Sequence, residues 1–329
     1  MKTLVLTQPG QFDRTDSEAP GDPGVGQALI RIHRVGICGT DLHAFRGRQP
    51  FFDYPRILGH ELGAEVLAMG DDVRGLQIGD LVAVEPYLNC ATCLPCSRGR
   101  VNCCESLQVL GVHTDGGMRE EILVPAHKLH RSASLQLEQL ALVETLGIGA
   151  HAVDRAQLQE DEIVLVVGAG PIGLAVAQFA TIAGAQVHVL EPNEKRRNFA
   201  HDLFQLAGSY APGDDAPPAT CVFDATGNRA AMEAAFDLPA ASGRLVLVGF
   251  QLDKISFANP DFHRRELTIM SSRNSTPADF TRIIGLMESG QIDTAPWITH
   301  RAGYDNLIES FPSWLEPETD VVKAMLELT

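Results

Sequence analysis

Residues 163–191 leave the chain little freedom in how it folds. IVLVV at 163–167 is a continuous apolar, β-branched run of strand length. Gly168-Ala169-Gly170-Pro171-Ile172-Gly173 follows, and LAVAQFATIAGA then has helical length and composition. A second strand-like run, AQVHVLE, ends on Glu191, 18 positions beyond Gly173. Between a strand and a helix, the first glycine permits a tight turn and the second lets the backbone approach a pyrophosphate. The third lets helix pack on strand. The helix N-terminus offers free amides and a positive dipole end to the phosphates. Glu191 is placed to accept hydrogen bonds from an adenosine ribose diol, and its charge would repel a 2′-phosphate, which favours NAD over NADP. Lys195, Arg196 and Arg197 follow closely and oppose that preference.

CVFDATG at 221–227 and RLVLVGF at 244–250 read as two further strands, separated by the helical stretch NRAAMEAAFDLPAA. Thr226, in the first of them, joins Gly168, Gly170, Pro171, Ile172, Gly173, Glu191 and Arg196 in the expected cofactor-binding set. ELTIMSS could add an edge strand. The 33 residues from Glu191 to Asp224 hold one helix and little more, which predicts that part of the usual third strand and its crossover is missing. GSYAPGDDAPPAT at 208–220 reads as an exposed loop. The expected fold class is α/β: a doubly wound Rossmann sheet over residues 147–271, inserted in a β-rich domain of residues 1–146 and 272–329. QALIRIHRV, LGAEVLAMG and DLVAVEPY carry the β-rich signal, and 329 residues suggest two cores rather than one.

Cys90, Cys93, Cys96 and Cys104 stand at intervals of three, three and eight. Thiolates so spaced close around one zinc as a tetrahedral site, at about 2.3 Å each, with no position left for substrate. Cys103 beside Cys104 leaves the fourth ligand open. Cys38 and His60-Glu61 form a second cluster, with too few thiolates for a closed site and the mixed donors of a catalytic one. Disulfides are disfavoured. MKTLVLTQPGQFD has no apolar signal core and no run approaches a membrane span, so a cytoplasmic, thiol-reducing setting is expected. A net charge of −16, from 26 basic and 42 acidic residues, opposes a nucleic-acid partner.

Gly36-Ile-Cys-Gly-Thr-Asp-Leu-His43, Gly59-His-Glu61, the four-cysteine lobe, Gly116-Gly117 and GAGPIG occur in the order and spacing of the zinc-dependent medium-chain alcohol and polyol dehydrogenases. The resemblance covers essentially the whole chain. It is nearest the sorbitol, threonine and L-galactonate dehydrogenase branch, on VLGVHTDGGM and the SSRN segment at 271–274. It implies that the β-rich domain is GroES-like and that each chain holds two zinc ions, one catalytic and one structural. Cys38, His60 and Glu144 are then the catalytic ligands, with Glu144 bound either directly or through a water. Cys104 is the fourth structural ligand. Glu61 exchanges onto the metal during turnover and Asp41 orients His60. Thr40 and His43 form a proton relay, and Lys323 either aligns loosely with a pyrophosphate contact or is a solvated lysine.

Arg273 is suited to grip a hydroxylated or carboxylated substrate or the cofactor pyrophosphate. His113 lines the substrate cleft or is purely structural. The expected activity is NAD-dependent oxidation of a secondary alcohol of a polyol, sugar or aldonate to a ketone, in a homodimer or homotetramer. The alternatives are a primary alcohol or aldehyde dehydrogenase of the same fold and a non-catalytic zinc- and NAD-binding sensor.

Overall fold

The computed structural model describes residues 1–50 and 52–329. They divide into two compact units, Met1–Glu144 with Thr276–Thr329, and Thr145–Ser275.

In the second unit every strand is parallel to its neighbours, in the order Gly208–Tyr210, Gln186–Leu190, Ile163–Val167, Ala219–Asp224, Pro239–Leu247, Thr268–Ser271. Counted along the chain this is 3-2-1-4-5-6, the order of the doubly wound dinucleotide fold. Val164, Leu165 and Val166 are all buried, as a central parallel strand covered on both faces requires. The third strand is present but only three residues long. Gly208–Tyr210 was expected within a loop; pairing with His188–Leu190 draws it into the sheet. Helix Glu194–Phe204 uses up most of the chain available, so residues 211–218 cross to the fourth strand without a helix. The stretch after Asn228 is α-helical to Ala234 and continues as a 3-10 turn over Ala235–Asp237. Asn228 caps it by accepting from the Ala231 amide at 3.1 Å, and Pro239 already opens the next strand.

A seven-stranded sheet, mostly antiparallel, organises the first unit around strand Gln27–Ile37. One side of that strand pairs with Glu61–Met69. The other pairs with Glu121–Pro125 over its first half and Lys323–Glu327 over its second. The register with Glu61–Met69 slips between Ile32 and Arg34. Ala28, Ile30 and Ile32 are buried before the slip, Val35 and Ile37 after it. The irregularity therefore changes the phase of the alternation. The pairings of Gly36 with Glu61 and of Ile37 with Ala324 bring three chain segments, ending or starting at Cys38, Glu61 and Lys323, to one end of the sheet.

Candidate active site

Cys38 is the residue on which strand Gln27–Ile37 stops and helix Gly39–Phe45 begins. The turn is fixed by Asp41, whose Oδ2 accepts from the Cys38 amide at 2.9 Å. The same short helix carries Thr40 and His43. Glu61 opens the neighbouring strand with His60 just before it, and the register sets Glu61 opposite Gly36. A Cβ on residue 36 would lie 2.0 Å from Glu61 Oε2, so only glycine leaves room for that carboxylate. Lys323 begins the strand on the other side, one residue before the Ala324–Ile37 pair. It is 2% exposed. Its ammonium donates to both Glu61 oxygens at 2.6 and 2.8 Å and to the Ile37 carbonyl at 3.2 Å. So engaged, the buried lysine forms a clamp on Glu61.

Donor atoms of Cys38, His60 and Glu61 all lie within 4.8 Å of one another. Glu144 is not in that set. It sits in the first turn of helix Val143–Ala156, where its Oε1 accepts from the hydroxyl of Tyr87. Asp41 Oδ1 and His60 Nδ1 are buried, 3.9 Å apart and without hydrogen-bond partners. Burial pushes the Asp41 and Glu144 carboxyls above their usual range. Burial acts to lower His60 and Lys323, but Cys38 and Asp41 outweigh it at His60, and Glu61 and Cys38 outweigh it at Lys323, so both are raised. Two causes act together: burial keeps the carboxyls from ionising, and anionic neighbours keep the imidazole and ammonium charged. Sulfur, imidazole and carboxylate donors in such a field fit a divalent cation.

In the cysteine lobe, Cys90, Cys93, Cys96 and Cys104 also gather within 4.8 Å, with no disulfide among them. Cys104 is buried in the set while Cys103 is exposed. The amides of Cys90 and Cys93 point at Cys104 Sγ and Cys90 Sγ, at 3.3 and 3.4 Å, as they would at thiolates. The amide and hydroxyl of Thr92 draw the Cys90 thiol down to about 5, whereas desolvation and the adjacent sulfurs push Cys96 up to about 12. Four thiols so packed do not ionise together unless a cation neutralises them.

The nucleotide unit has a cavity of about 410 Å³ bordered by Gly168, Gly170, Glu191, Arg196 and Thr226. Pro171 is the first residue of helix Pro171–Ile182, and Ile172 follows it, partly buried. Gly173 lies beneath the turn; a Cβ there would come 1.8 Å from the Gly168 carbonyl oxygen. The Glu191 carboxylate accepts from the Ala169 amide at 2.8 Å and the Asn193 amide at 2.9 Å, which pins it against the glycine turn. Asp224, not singled out from the sequence, anchors the facing wall. Its carboxylate accepts from the amide of Thr226 at 3.1 Å and from the Thr226 hydroxyl at 3.0 Å. The signal was an acid closing a buried apolar run. Arg273 is exposed just past edge strand Thr268–Ser271. His113 Nδ1 accepts from the Val109 amide at 3.2 Å, a bond that shapes its loop. His43 reaches the surface, and partial burial with the Arg46 and Arg48 charges holds its pKa below the usual value.

Residues 24–134 match the model of the alcohol dehydrogenase GroES-like domain, and residues 171–289 that of the zinc-binding dehydrogenases. The L-galactonate-5-dehydrogenase of Escherichia coli K12 is 39% identical over 99% of this chain and 98% of its own. The chain belongs to the zinc-binding alcohol dehydrogenase family. This dehydrogenase is accordingly an oxidoreductase, built of a GroES-like and a Rossmann-like domain. An alcohol dehydrogenase of E. coli CFT073 solved with NADH superposes with a TM-score of 0.92 at 29% identity, covering 100% of this chain and 99% of the other. A zinc-binding dehydrogenase of Sinorhizobium meliloti bound to NADP gives 0.91 at 27%, covering 99% of each. Among the described residues no helix is long and apolar enough to cross a membrane.

Proposed function

We propose that this dehydrogenase oxidises a secondary alcohol of a polyol, sugar or aldonate to a ketone, with NAD as acceptor and two zinc ions per chain. Cys38, His60 and Glu61 hold the catalytic ion, with Glu144 beside it, and Cys90, Cys93, Cys96 and Cys104 hold the structural one. The catalytic zinc, when bound, lowers the pKa of the alcohol oxygen, and NAD supplies the hydride acceptor. Thr40 takes the hydrogen bond of the reacting hydroxyl, and His43 is the terminal base that delivers its proton to solvent. Glu144 accepts from a hydroxyl beside the one oxidised. Arg273 donates to a further hydroxyl or acid group. Glu191, held in place by two amides, keeps lone pairs for a ribose diol and repels a 2′-phosphate, while Arg196 supplies the opposite charge across the same cavity.

The observation that carries this reading is the pair of carboxylates, Glu61 and Glu144, beside a single thiol and a single imidazole. Such a site prefers a substrate with several hydroxyls, because a buried polar group left unpaired costs about 1–3 kcal/mol. Likeness to an L-galactonate dehydrogenase supports the aldonate end of the range. Exposed Phe250, Leu252 and Ile269, the last on edge strand Thr268–Ser271, support a homo-oligomer.

A panel of polyols, aldonates, L-sugars and simple primary alcohols, each assayed with NAD and with NADP, tests the reading. The best substrate should be a vicinal diol or hydroxy acid, used with NAD at least about tenfold more efficiently than with NADP, the effect of one unscreened like charge. Primary alcohols at the head of the panel would make it an alcohol dehydrogenase of the ordinary kind. Absence of turnover in metal-loaded protein would leave a sensor.

A pH profile follows from His43. A terminal base works when neutral, so kcat/KM should be level at alkaline pH and fall as pH drops through the imidazole pKa, which burial, Arg46 and Arg48 hold under about 6.5. His43→Gln should remove that limb and cost roughly 10²-fold. A limb that survives the substitution would take the proton away from His43.

A further inference from the structure

Tyr87 lies in a two-residue strand, Tyr87–Leu88, paired with Gln108–Val109. It is 3% exposed, so the ring is core, yet its hydroxyl is directed at a carboxylate and donates to Glu144 Oε1. Glu144 is itself 5% exposed. It lies near enough to His60, Glu61 and Lys323 to feel their charges, but stands apart from the set formed by Cys38, His60 and Glu61. The two carboxylates beside the thiol and imidazole are therefore held by different partners, Glu61 by Lys323 and Glu144 by Tyr87.

We propose that Tyr87 is a positioning residue: its hydroxyl holds the Glu144 carboxylate clear of the Cys38, His60 and Glu61 donors, so that one position at the metal stays open for the alcohol. The proposal rests on the reading above that these donors hold the catalytic ion. A dry carboxylate close to a divalent cation turns towards it unless a strong donor from a rigid neighbour fixes its orientation. A phenol hydroxyl supplies a charge-assisted bond of that kind, which water shares in an exposed site but not in this one. The aromatic ring fixes the direction of the O–H, because the core packs it. Phenylalanine at residue 87 would retain the ring and remove the bond to Glu144. The freed oxygen, buried and unpaired, would then turn to the metal.

The test uses zinc-depleted protein reloaded with Co2+, in wild type, Tyr87→Phe, Glu144→Gln and the double variant. Visible absorption reports the coordination of cobalt, and transfer to a chelator reports how tightly it is held. Tyr87→Phe should weaken the ligand-field bands, as a higher coordination number does, and slow cobalt loss about tenfold, the effect of one added charged ligand. kcat should fall about tenfold, with a smaller change in KM, since the open position is lost in every complex. In the Glu144→Gln background the second substitution should change none of these. An unchanged spectrum and release rate in Tyr87→Phe would overturn the proposal, as would equal changes in both backgrounds, because Tyr87 would then not act through Glu144. Cobalt bands unaffected by Cys38→Ser would instead show that no ion sits on these donors, which overturns the reading beneath the proposal and the proposal with it.

Discussion

Replacing Cys38 with serine should abolish turnover and leave the protein folded. The thiol contributes a metal donor but little to the core, since Cys38 is only half-buried and sits where a strand gives way to a helix. What holds that turn is its amide on Asp41 Oδ2, at 2.9 Å, and serine keeps the amide. Serine is also a good residue at a helix N-cap. Losing the thiolate removes a ligand from a set of three, and with it several kcal/mol of transition-state stabilisation, on the order of a thousandfold or more in kcat. Metal analysis should fall from two zinc ions per chain to one, while the thermal midpoint moves by only a few degrees. Wild-type protein carrying one zinc or none would count against the assignment at its root.

Cys93→Ser should do the reverse. Between Cys90 and Cys104 regular structure amounts to one turn of helix, Leu94–Ser97, and the 3-10 segment Val101–Cys103, with Leu94 left 59% exposed. Such a segment has little apolar surface to bury, and on the two-zinc reading its order depends on the ion. Opening the site at one corner should cost about 3 kcal/mol or more and lower the midpoint by roughly 10 °C. Well below that temperature turnover should persist, because Cys38, His60 and Glu61 belong to a separate group of donors. If Cys38→Ser and Cys93→Ser unfolded the protein equally, the two roles would have been misassigned.

The nucleotide unit was legible because its information is local. A β-branched run, a glycine turn and an apolar helix succeed one another within 20 residues, and the short interval from Glu191 to Asp224 already implied a reduced third strand. Cysteine spacing is local as well. The electrostatics around Glu61 were not legible, because they come from strand register. Lys323 is 262 positions away from Glu61, and nothing near it in sequence distinguishes it from a solvated lysine. Only the pairing of Lys323–Glu327 with Val35, Gly36 and Ile37 gives it a partner. Tyr87 was hidden for a related reason: a tyrosine in an apolar strand reads as core, which it is, and the sequence does not say where its hydroxyl points. The different partners of Glu61 and Glu144, Lys323 and Tyr87, were hidden alike until those residues were placed.

The clamp between Lys323 and Glu61 also bears on the order in which the molecule is made. The whole of Thr145–Ser275 is synthesised between these two residues. A chain emerging from the ribosome therefore displays Cys38, His60 and Glu61 long before the ammonium that neutralises Glu61 exists. Closing a loop of that length is not prohibitive in entropy, since each doubling adds only about 0.6 kcal/mol, and an insert that folds first shortens the effective loop further. The nascent GroES-like half is nevertheless left with an uncompensated carboxylate at its centre, and it reaches its final electrostatic state only after the nucleotide-binding half has been completed.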